Sequence, residues 1–431
     1  MKSASTRPWL SRWLLPAATG LLLALAFPPF EAFQLAWLGL LPLLFAVRDC
    51  DWGEAFRRGY IAGLVFFGMT LWWIGHVTVP GAVALIAFLP LYLGAAGAWF
   101  RFVLRWRDSR DTPLRNLLVA ILCGAGWVVL EWVRGRFLLG GFGWNCLGAS
   151  QYRAASLLQF ASVTGVYGVS ALLVAVNMIF YCITCRFAAH LKAGQPIRRL
   201  SWELYAVMIT VCLMFIHGAR ELAARNSRPH RPLRLALVQA NIPQSLKFVP
   251  GEKEMVLHRH HDLTQTAAVT KPDLIIWPET AAPEPLRYDP VSFELATNVA
   301  VTSGAWLLTG TIDYRPYSKP PEAYNAAILI SPAGELVQEY RKIHLVPFSE
   351  YVPLQRLTAR FLSVIGPDGY DVTQGYGFQR GREHTVFEAG DFRFGAVICF
   401  EDTVPHLYRQ FAARGVDFMV NLTNDAWFRD S

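Results

Sequence analysis

The chain has 431 residues, of which 53% are hydrophobic and only 17% are charged, with a formal net charge of +8 at pH 7. This composition excludes disordered, collagen-like and coiled-coil proteins, and it is too apolar for three ordinary soluble domains. Residues 1–219 hold 18 Lys and Arg against 8 Asp and Glu, whereas residues 220–431 hold 22 against 24. A nucleic-acid-binding domain would concentrate basic residues in the polar half. We therefore expect a membrane protein with no nucleic acid partner.

Seven apolar segments of the first half are long enough, or nearly so, to cross a bilayer. They are residues 13–27, 33–47, 59–79, 81–100, 116–133, 156–185 and 203–219. With the N-terminus inside, the inner segments carry 15 Lys and Arg, and the short outer loops carry only Arg134, Arg136 and Arg153. The positive-inside rule therefore predicts a cytoplasmic N-terminus and places the polar half on the outer face. The first segment also has the pattern of a cleavable signal peptide, and that alternative stays open.

The second half alternates between strand-like and helix-like segments. Residues 220–232 are the predicted linker between a membrane domain at 1–219 and an α/β domain at 233–431. The predicted strands are 233–239 (a buried strand), 273–277, 305–312, 324–330, 336–340, 392–398 and 418–422, and the predicted helices are 252–269, 290–303 and 404–414. The turn from Ser331 to Gly334 makes two of these strands a hairpin. The alternation predicts a layered α/β sheet with helices packed on it.

Three polar residues follow predicted strands, where the catalytic groups of α/β sheets gather. Cys399 ends a strand just before a helix, a position where the helix N-terminus and a nearby cation favour a nucleophilic thiolate. Glu279 has the chemistry to accept the thiol proton, and Lys342 to stabilise an oxyanion. Taken singly, each is more often structural: a small buried hydrophobe, a surface carboxylate and a solvated cation. Spacing alone does not join them into one site.

Five motifs together are specific for a known family. They are VQANIPQ (238–244), WPE (277–279), KIHLVPFSEYVPL (342–354), ICFE (398–401) and NDAWFRDS (424–431). On these motifs the chain resembles the apolipoprotein N-acyltransferase family, whose α/β domain is similar to the nitrilase, or carbon–nitrogen hydrolase, superfamily. The resemblance implies a multi-span α-helical membrane domain followed by an α/β domain folded as a nitrilase-like αββα sandwich.

The resemblance also implies the roles of six residues. A Glu-Lys-Cys triad corresponds to Glu279, Lys342 and Cys399. Three further positions match family residues that support the active site, and they are Glu350, Glu401 and Trp427. The implied set contains no metal ligand and no binding residue for an organic cofactor.

The implied reaction is a two-step acyl transfer in the bacterial inner membrane, with the catalytic domain in the periplasm. A phospholipid, typically phosphatidylethanolamine, gives an acyl chain to Cys399 as a thioester. The free α-amino group of a diacylglyceryl-cysteine at the N-terminus of an apolipoprotein then takes the chain.

Two alternatives stay open. One is a membrane-tethered amidohydrolase of the nitrilase type, which transfers to water. The other is a non-catalytic, lipid-binding remnant, because the family's domain is expected to continue past Ser431 and the chain is expected to be a truncated form or a fragment.

Overall fold

The computed structural model describes residues 9–107, 111–137, 141–194, 202–225, 227, 231–247, 249, 251–282, 284–318, 321–347, 349–351 and 377–428. These residues divide into two compact units, one within 9–227 and one within 231–428. We call them the helical unit and the sheet unit, and describe each by itself.

The described part of the helical unit consists of α-helices joined by short turns. The helices are α1 (Leu15–Leu25), α2 (Leu41–Val47), α3 (Trp52–Thr70), α4 (Val79–Phe88), α5 (Pro90–Arg107), α6 (Pro113–Arg136), α7 (Ala155–Leu158), α8 (Ala161–Lys192) and α9 (Trp202–Arg225). Among the described residues, four apolar segments are long enough to cross a membrane: α4 joined to α5, α6, α8 and α9. Arg12–Leu25 and Phe33–Val47 are apolar but shorter. The seven-crossing count remains a prediction.

Helix boundaries differ from the predicted spans where a proline-containing turn interrupts an apolar run. The predicted segments 59–79 and 81–100 correspond to three helices, α3, α4 and α5. Thr78 caps α4, since its Oγ1 accepts a hydrogen bond from the N–H of Gly81 at 3.4 Å, and Pro80 lies in the first turn. Hydropathy does not detect this cap because the residues that form it are nearly as apolar as the spans they separate.

Two later boundaries also differ. The predicted segment 156–185 is divided into α7 and the longer α8, and Gly165 in α8 has a φ of 66°. Glycine adopts this left-handed conformation without a Cβ clash. Helix α9 continues to Arg225, so the first residues of the predicted 220–232 linker are helical. The Ala, Glu, Leu and Arg residues there are good helix formers, and they extend a helix beyond its most apolar stretch.

Small residues set the distance between α3 and α5. A Cβ atom on Gly59 would lie 2.2 Å from the carbonyl oxygen of Leu93, and one on Gly97 would lie 2.5 Å from that of Ala55. These separations are well inside van der Waals contact, so the two backbones approach each other only because both positions are glycine. Helices in membranes commonly associate through such small residues, because apolar burial gives them little driving force there.

A buried polar network joins four helices at one end of the helical unit. The Nε of Arg107 on α5 donates to the Oδ1 of Asn116 on α6 at 2.9 Å. The Oε1 of Glu203 on α9 accepts from the Nδ2 of Asn116 at 3.1 Å and from a guanidinium nitrogen of Arg186 on α8 at 2.7 Å. The C-terminal ends of α5 and α8 therefore meet the N-terminal ends of α6 and α9 at this cluster, as expected of antiparallel neighbours.

The sheet unit contains a five-stranded and a three-stranded sheet in its described residues. The first has the order β1 (Leu235–Leu237), β2 (Leu274–Ile276), β3 (Trp306–Arg315), β4 (Glu322–Ile330), β5 (Leu336–Arg341), and the second has the order β6 (Val386–Ala389), β7 (Phe392–Ile398), β8 (Phe418–Leu422). The pairs β1–β2, β2–β3 and β7–β8 are parallel and the others are antiparallel. The helices are α10 (Gln244–Lys247), α11 (Lys253–Ala268), α12 (Pro290–Ser303) and α13 (Pro405–Ala413).

The two sheets pack against each other between layers of helices. On one face of the five-stranded sheet, Ile275 packs in a cluster with Val299 of α12. On the other face, Leu308 belongs to a second cluster with Phe394 of β7 and Phe411 of α13. This is the αββα sandwich that the family resemblance implies, and it brings the ends of β2, β5 and β7 into one unit.

The first strand is shorter and less buried than predicted. The predicted strand at 233–239 is β1, of which only Ala236 is buried, while Leu235 is 46% and Leu237 is 74% exposed. Because β1 is the edge strand of its sheet, alternate residues face opposite sides and one side has no covering layer among the described residues. An apolar run looks the same in sequence whether one or both faces are covered. Strand β6 has no counterpart among the predicted strands.

The glycine contact between α3 and α5 predicts a difference between two substitutions on one helix. Gly59→Ala should lower the thermal unfolding midpoint of the detergent-purified chain, because its methyl group overlaps a backbone carbonyl and overpacking costs about 1–3 kcal/mol. Gly68→Ala, whose Cβ would meet no atom within 4 Å, should leave the midpoint unchanged or raise it, since alanine favours helix by about 1 kcal/mol. Equal midpoints for the two variants would contradict the packing described.

Candidate active site

Three strand ends hold the predicted triad residues. Glu279 follows β2, Lys342 follows β5, and Cys399 begins a 3₁₀ turn directly after β7. The φ of Cys399 is 53°, a left-handed backbone conformation that is uncommon outside glycine and that clusters at functional sites. Both Glu279 and Lys342 are close enough to shift the pKa of the Cys399 thiol, so the fold brings the three residues together.

Lys342 is a buried ammonium group between two carboxylates. Its side chain is 1% exposed. Its Nζ donates a hydrogen bond to the Oε1 of Glu350 at 2.9 Å and lies 4.0 Å from the Oε1 of Glu279. Burial on its own lowers the pKa of Lys342, but the charges of Glu350 and Glu279 outweigh it and raise this pKa above its usual value. Lys342 therefore carries a positive charge near neutral pH.

Asn325, on β4, holds the two carboxylates in place. Its Nδ2 donates to the Oε1 of Glu279 and to the Oε1 of Glu350, both at 2.8 Å. The Oε2 of Glu350 accepts from the backbone N–H of Val346 at 2.8 Å. Burial raises the pKa of Glu279, while the charge of Lys342 and the hydrogen bond from Asn325 oppose that rise. The amide thus satisfies two carboxylates that would otherwise repel each other.

Cys399 is partly buried, and its surroundings favour the neutral thiol. Its pKa is raised to about 12, mainly by burial and next by the charge of Glu279, while the charge of Lys342 opposes the rise. At pH 7 a thiol with that pKa is ionised in on the order of one molecule in 100,000. Chemistry at this sulfur therefore needs a base that takes the proton as the new bond forms, and Glu279 is the carboxylate whose raised pKa suits that task.

Glu401 is fully buried and ties two segments of the site together. Its Oε1 accepts from the backbone N–H groups of Ile343 at 2.8 Å and His344 at 2.9 Å, and its Oε2 accepts from that of Ile398 at 2.9 Å. The hydroxyl of Tyr340 lies 2.9 Å from both oxygens. Burial nevertheless raises the pKa of Glu401 to about 7. The segment after β5 and the turn after β7 are thereby fixed to each other through one carboxylate.

The structure describes five of the six predicted site residues at side-chain level. Asp425–Phe428 forms a 3₁₀ turn, but the side chain of Trp427 lies outside the described residues, and its role stays a prediction. Residues 348, 352–354 and 429–431 of the predicted motifs are also outside them. Among the residues that the structure describes, no three His, Cys, Asp or Glu side chains converge as a metal site would require.

Sequence reasoning missed two residues of the site. Asn325 lies within an apolar strand, where asparagine is disfavoured, and that exception was a usable signal. Tyr340 gave no signal, because tyrosine is common in strands and its hydroxyl partner, Glu401, lies far away in the sequence.

Comparisons with known proteins agree along nearly the whole chain. Residues 19–179 match the family model for the apolipoprotein N-acyltransferase N-terminal domain, and residues 234–431 match the model for carbon-nitrogen hydrolase. The apolipoprotein N-acyltransferase of Geobacter metallireducens is 32% identical over 424 residues, covering 96% of this chain and 78% of that protein. The chain belongs to the apolipoprotein N-acyltransferase family.

Other members of the family match to a similar extent. The apolipoprotein N-acyltransferase of Azotobacter vinelandii is 32% identical, covering 99% of this chain and 80% of the relative, and that of Chlorobaculum tepidum is 30% identical, covering 97% and 80%. A solved carbon-nitrogen hydrolase from Helicobacter pylori shares 14% identity with a TM-score of 0.32, covering 44% of this chain and 60% of that one, a likeness too weak to support a conclusion. The sheet unit is the carbon–nitrogen hydrolase domain of the apolipoprotein N-acyltransferase family.

Glu401 predicts a pH dependence of stability. Its pKa is about 7 when folded and 4.5 as the unperturbed value, so the folded protein binds more protons than the unfolded chain between these pH values. The resulting stabilisation is complete below about pH 4.5 and is lost as the pH rises through 7; it amounts to at most about 3 kcal/mol.

Glu401→Gln should therefore make the change in thermal midpoint between pH 5 and pH 8 smaller than in the wild type. The comparison uses this change and not the absolute midpoint, because glutamine also disturbs the hydrogen bonds. An unchanged pH dependence would show that Glu401 has an ordinary pKa in the folded protein.

Proposed function

We propose that the chain transfers an acyl chain from a phospholipid, through a thioester on Cys399, to the free α-amino group of an apolipoprotein's N-terminal diacylglyceryl-cysteine. The observation that carries the proposal is the buried ammonium of Lys342, held charged beside the Cys399 sulfur by Glu350 and Glu279. A fixed cation next to a nucleophile is suited to the oxyanion that every acyl transfer forms. The lipoprotein acceptor and the lipid donor follow from membership of the family, and we take phosphatidylethanolamine as the donor.

In the first half-reaction, the carboxylate of Glu279 takes the proton of Cys399 as the sulfur attacks the donor's ester carbonyl. The oxyanion of the tetrahedral intermediate lies against the ammonium of Lys342. The intermediate collapses to a thioester, and the departing lysophospholipid oxygen takes the proton back from Glu279. Lys342 keeps its own proton throughout, because its carboxylate partners hold it charged.

In the second half-reaction, the α-amino group of the acceptor attacks the thioester carbonyl. Lys342 stabilises the second oxyanion, Glu279 takes the proton that the amine loses, and Cys399 leaves as a thiol once that proton is returned to it. The products are an amide and the starting enzyme. The same three groups therefore serve both steps, and neither step consumes a further reactant.

The proposed location is the outer face of the bacterial inner membrane, with a cytoplasmic N-terminus. The polar network of Arg107, Asn116, Arg186 and Glu203 gathers helix ends that the positive-inside rule assigns to the cytoplasm. The other end of α9, at Arg225, is the one from which the chain passes to the sheet unit. Both proposed substrates are anchored in the outer leaflet, and this orientation gives the sheet unit access to them.

The proposed thioester is directly measurable. Incubation of the detergent-purified chain with phosphatidylethanolamine should add the mass of one acyl chain, and hydroxylamine should remove it. Cys399→Ala should abolish the adduct, and Cys212→Ala should retain it as a matched control. Glu279→Gln should slow adduct formation by about 10²- to 10⁴-fold, the usual contribution of a general base.

An added diacylglyceryl-cysteine peptide should discharge the adduct and gain the acyl chain as an amide. A folded wild-type chain that hydrolyses small amides and forms no phospholipid adduct would favour the amidohydrolase alternative. A folded chain with neither activity would favour the non-catalytic alternative, and either result would refute the proposal.

The proposed orientation predicts opposite results for two reporter fusions. A reporter fused after Arg225 should lie on the outer side of the membrane, and one fused after Gly194, between α8 and α9, should lie in the cytoplasm. A phosphatase active only outside and a fluorescent protein that folds only inside give independent measurements. A cytoplasmic result after Arg225 would refute the orientation and leave the thioester chemistry untouched.

A further inference from the structure

A second buried lysine, Lys247, contacts the residue proposed as the general base. Lys247 ends α10 and is 5% exposed. Its Nζ donates a hydrogen bond to the backbone carbonyl oxygen of Glu279 at 3.0 Å. A long amphipathic side chain normally keeps its charged end in water. Here the ammonium is turned inward against the peptide that carries Glu279.

That peptide is under unusual constraint. Thr280, which follows Glu279, has a φ of 47°, in the left-handed region that non-glycine residues rarely adopt. The backbone also lies directly against β3, where a Cβ on Gly310 would come within 2.7 Å of the Cα of Glu279. The N–H of Ala281 donates to the carbonyl oxygen of Gly310 at 2.9 Å. The contacts with β3 and the hydrogen bond from Lys247 thus fix a strained segment in place.

Lys247 also acts on Glu279 through its charge. Burial lowers the pKa of Lys247 to about 8, and the charge of Glu279 opposes this decrease. In return, Lys247 lowers the pKa of Glu279, together with Lys342 and against burial and Glu350. His260 of α11 also faces Lys247, and burial lowers the pKa of His260 to about 4. His260 is therefore neutral near pH 7 and does not offset the charge of Lys247.

We propose that Lys247 is a positioning residue for Glu279, which it holds through the backbone carbonyl and keeps ionised through its positive charge. This inference rests on the proposed role of Glu279 as the base that takes the Cys399 proton. In this proposal Lys247 acts through Glu279 and not directly on the sulfur or the transferred acyl chain. It sets the geometry and the working pH of the group that does.

The test measures alkylation of Cys399 by iodoacetamide against pH, because this reaction needs neither phospholipid nor acceptor. The full-length chain in detergent is digested after timed exposure, and the Cys399 peptide is quantified by mass spectrometry. In Lys247→Met the acidic limb of the profile should shift to higher pH by roughly one unit, because the pKa of Glu279 rises when a nearby opposite charge is lost. The plateau should fall by roughly tenfold as Glu279 loses its position.

Two control variants separate charge from structure. Lys247→Arg keeps the charge and should keep the limb at the wild-type pH. Lys253→Met removes a lysine of the neighbouring α11, whose partner is Asp289 at 2.5 Å, and its profile should overlay that of the wild type. If Lys247→Met also overlays the wild type, or loses rate by one factor at all pH values, the proposal is wrong.

The profile also distinguishes this inference from the proposed function. A wild type without phospholipid adduct, but with the Lys247 shift intact, would refute acyl transfer and retain the positioning role. An alkylation profile unaffected by Glu279→Gln would refute the base itself, and the inference about Lys247 with it.

Discussion

A buried positive charge is the constraint on which the rest of the site depends. An unpaired ammonium inside a protein costs several kcal/mol, so Lys342 requires carboxylates around it. The two that it has are not equivalent, since the Oε1 of Glu350 lies 2.9 Å from the Nζ and that of Glu279 lies 4.0 Å away. The nearer carboxylate is committed to the ion pair, and the farther one is left free to accept a proton. The difference in distance gives two chemically identical side chains different roles, one as ion-pair partner and one as proton acceptor.

Asn325 and Glu401 keep that division stable. Asn325 bonds to both carboxylates through one amide nitrogen, which fixes their separation on the β4 side of the site. Glu401 accepts hydrogen bonds from backbone N–H groups of two segments, the one after β5 and the end of β7. The left-handed conformation of Cys399 is maintained by such neighbours and not by its own preference. The residues proposed to react are therefore few, and the residues that fix their positions belong to both sheets.

The sequence predicted the features that depend on local composition. Apolar runs identified β2, β7 and β8, and the strand ends located Glu279, Lys342 and Cys399, although their union into one site rested on the family resemblance. The turn at 331–334 predicted the pairing of β4 with β5, and the structure confirms it. Composition did not predict how far each strand is covered: the run at 233–239 is a half-exposed edge strand, and β6 was overlooked. Helix breaks such as the Thr78 cap fall within apolar runs and carry no hydropathy signal. Asn325 acts across the sheet, on residues 46 and 25 positions away, and a single sequence does not reveal such partners.

Charge balance explains why the proton must move within the site. Losing the Cys399 proton to solvent would add a negative charge to a region where burial already raises the pKa of both Cys399 and Glu279. Moving the proton from sulfur to Glu279 leaves the total charge unchanged, so burial opposes it far less. In the proposed reaction Lys342 then faces the anionic sulfur and, later, the oxyanion, while Lys247 also lowers the pKa of Glu279. Burial that makes the free thiolate inaccessible thus favours a reaction in which proton transfer and attack on the acyl group occur together.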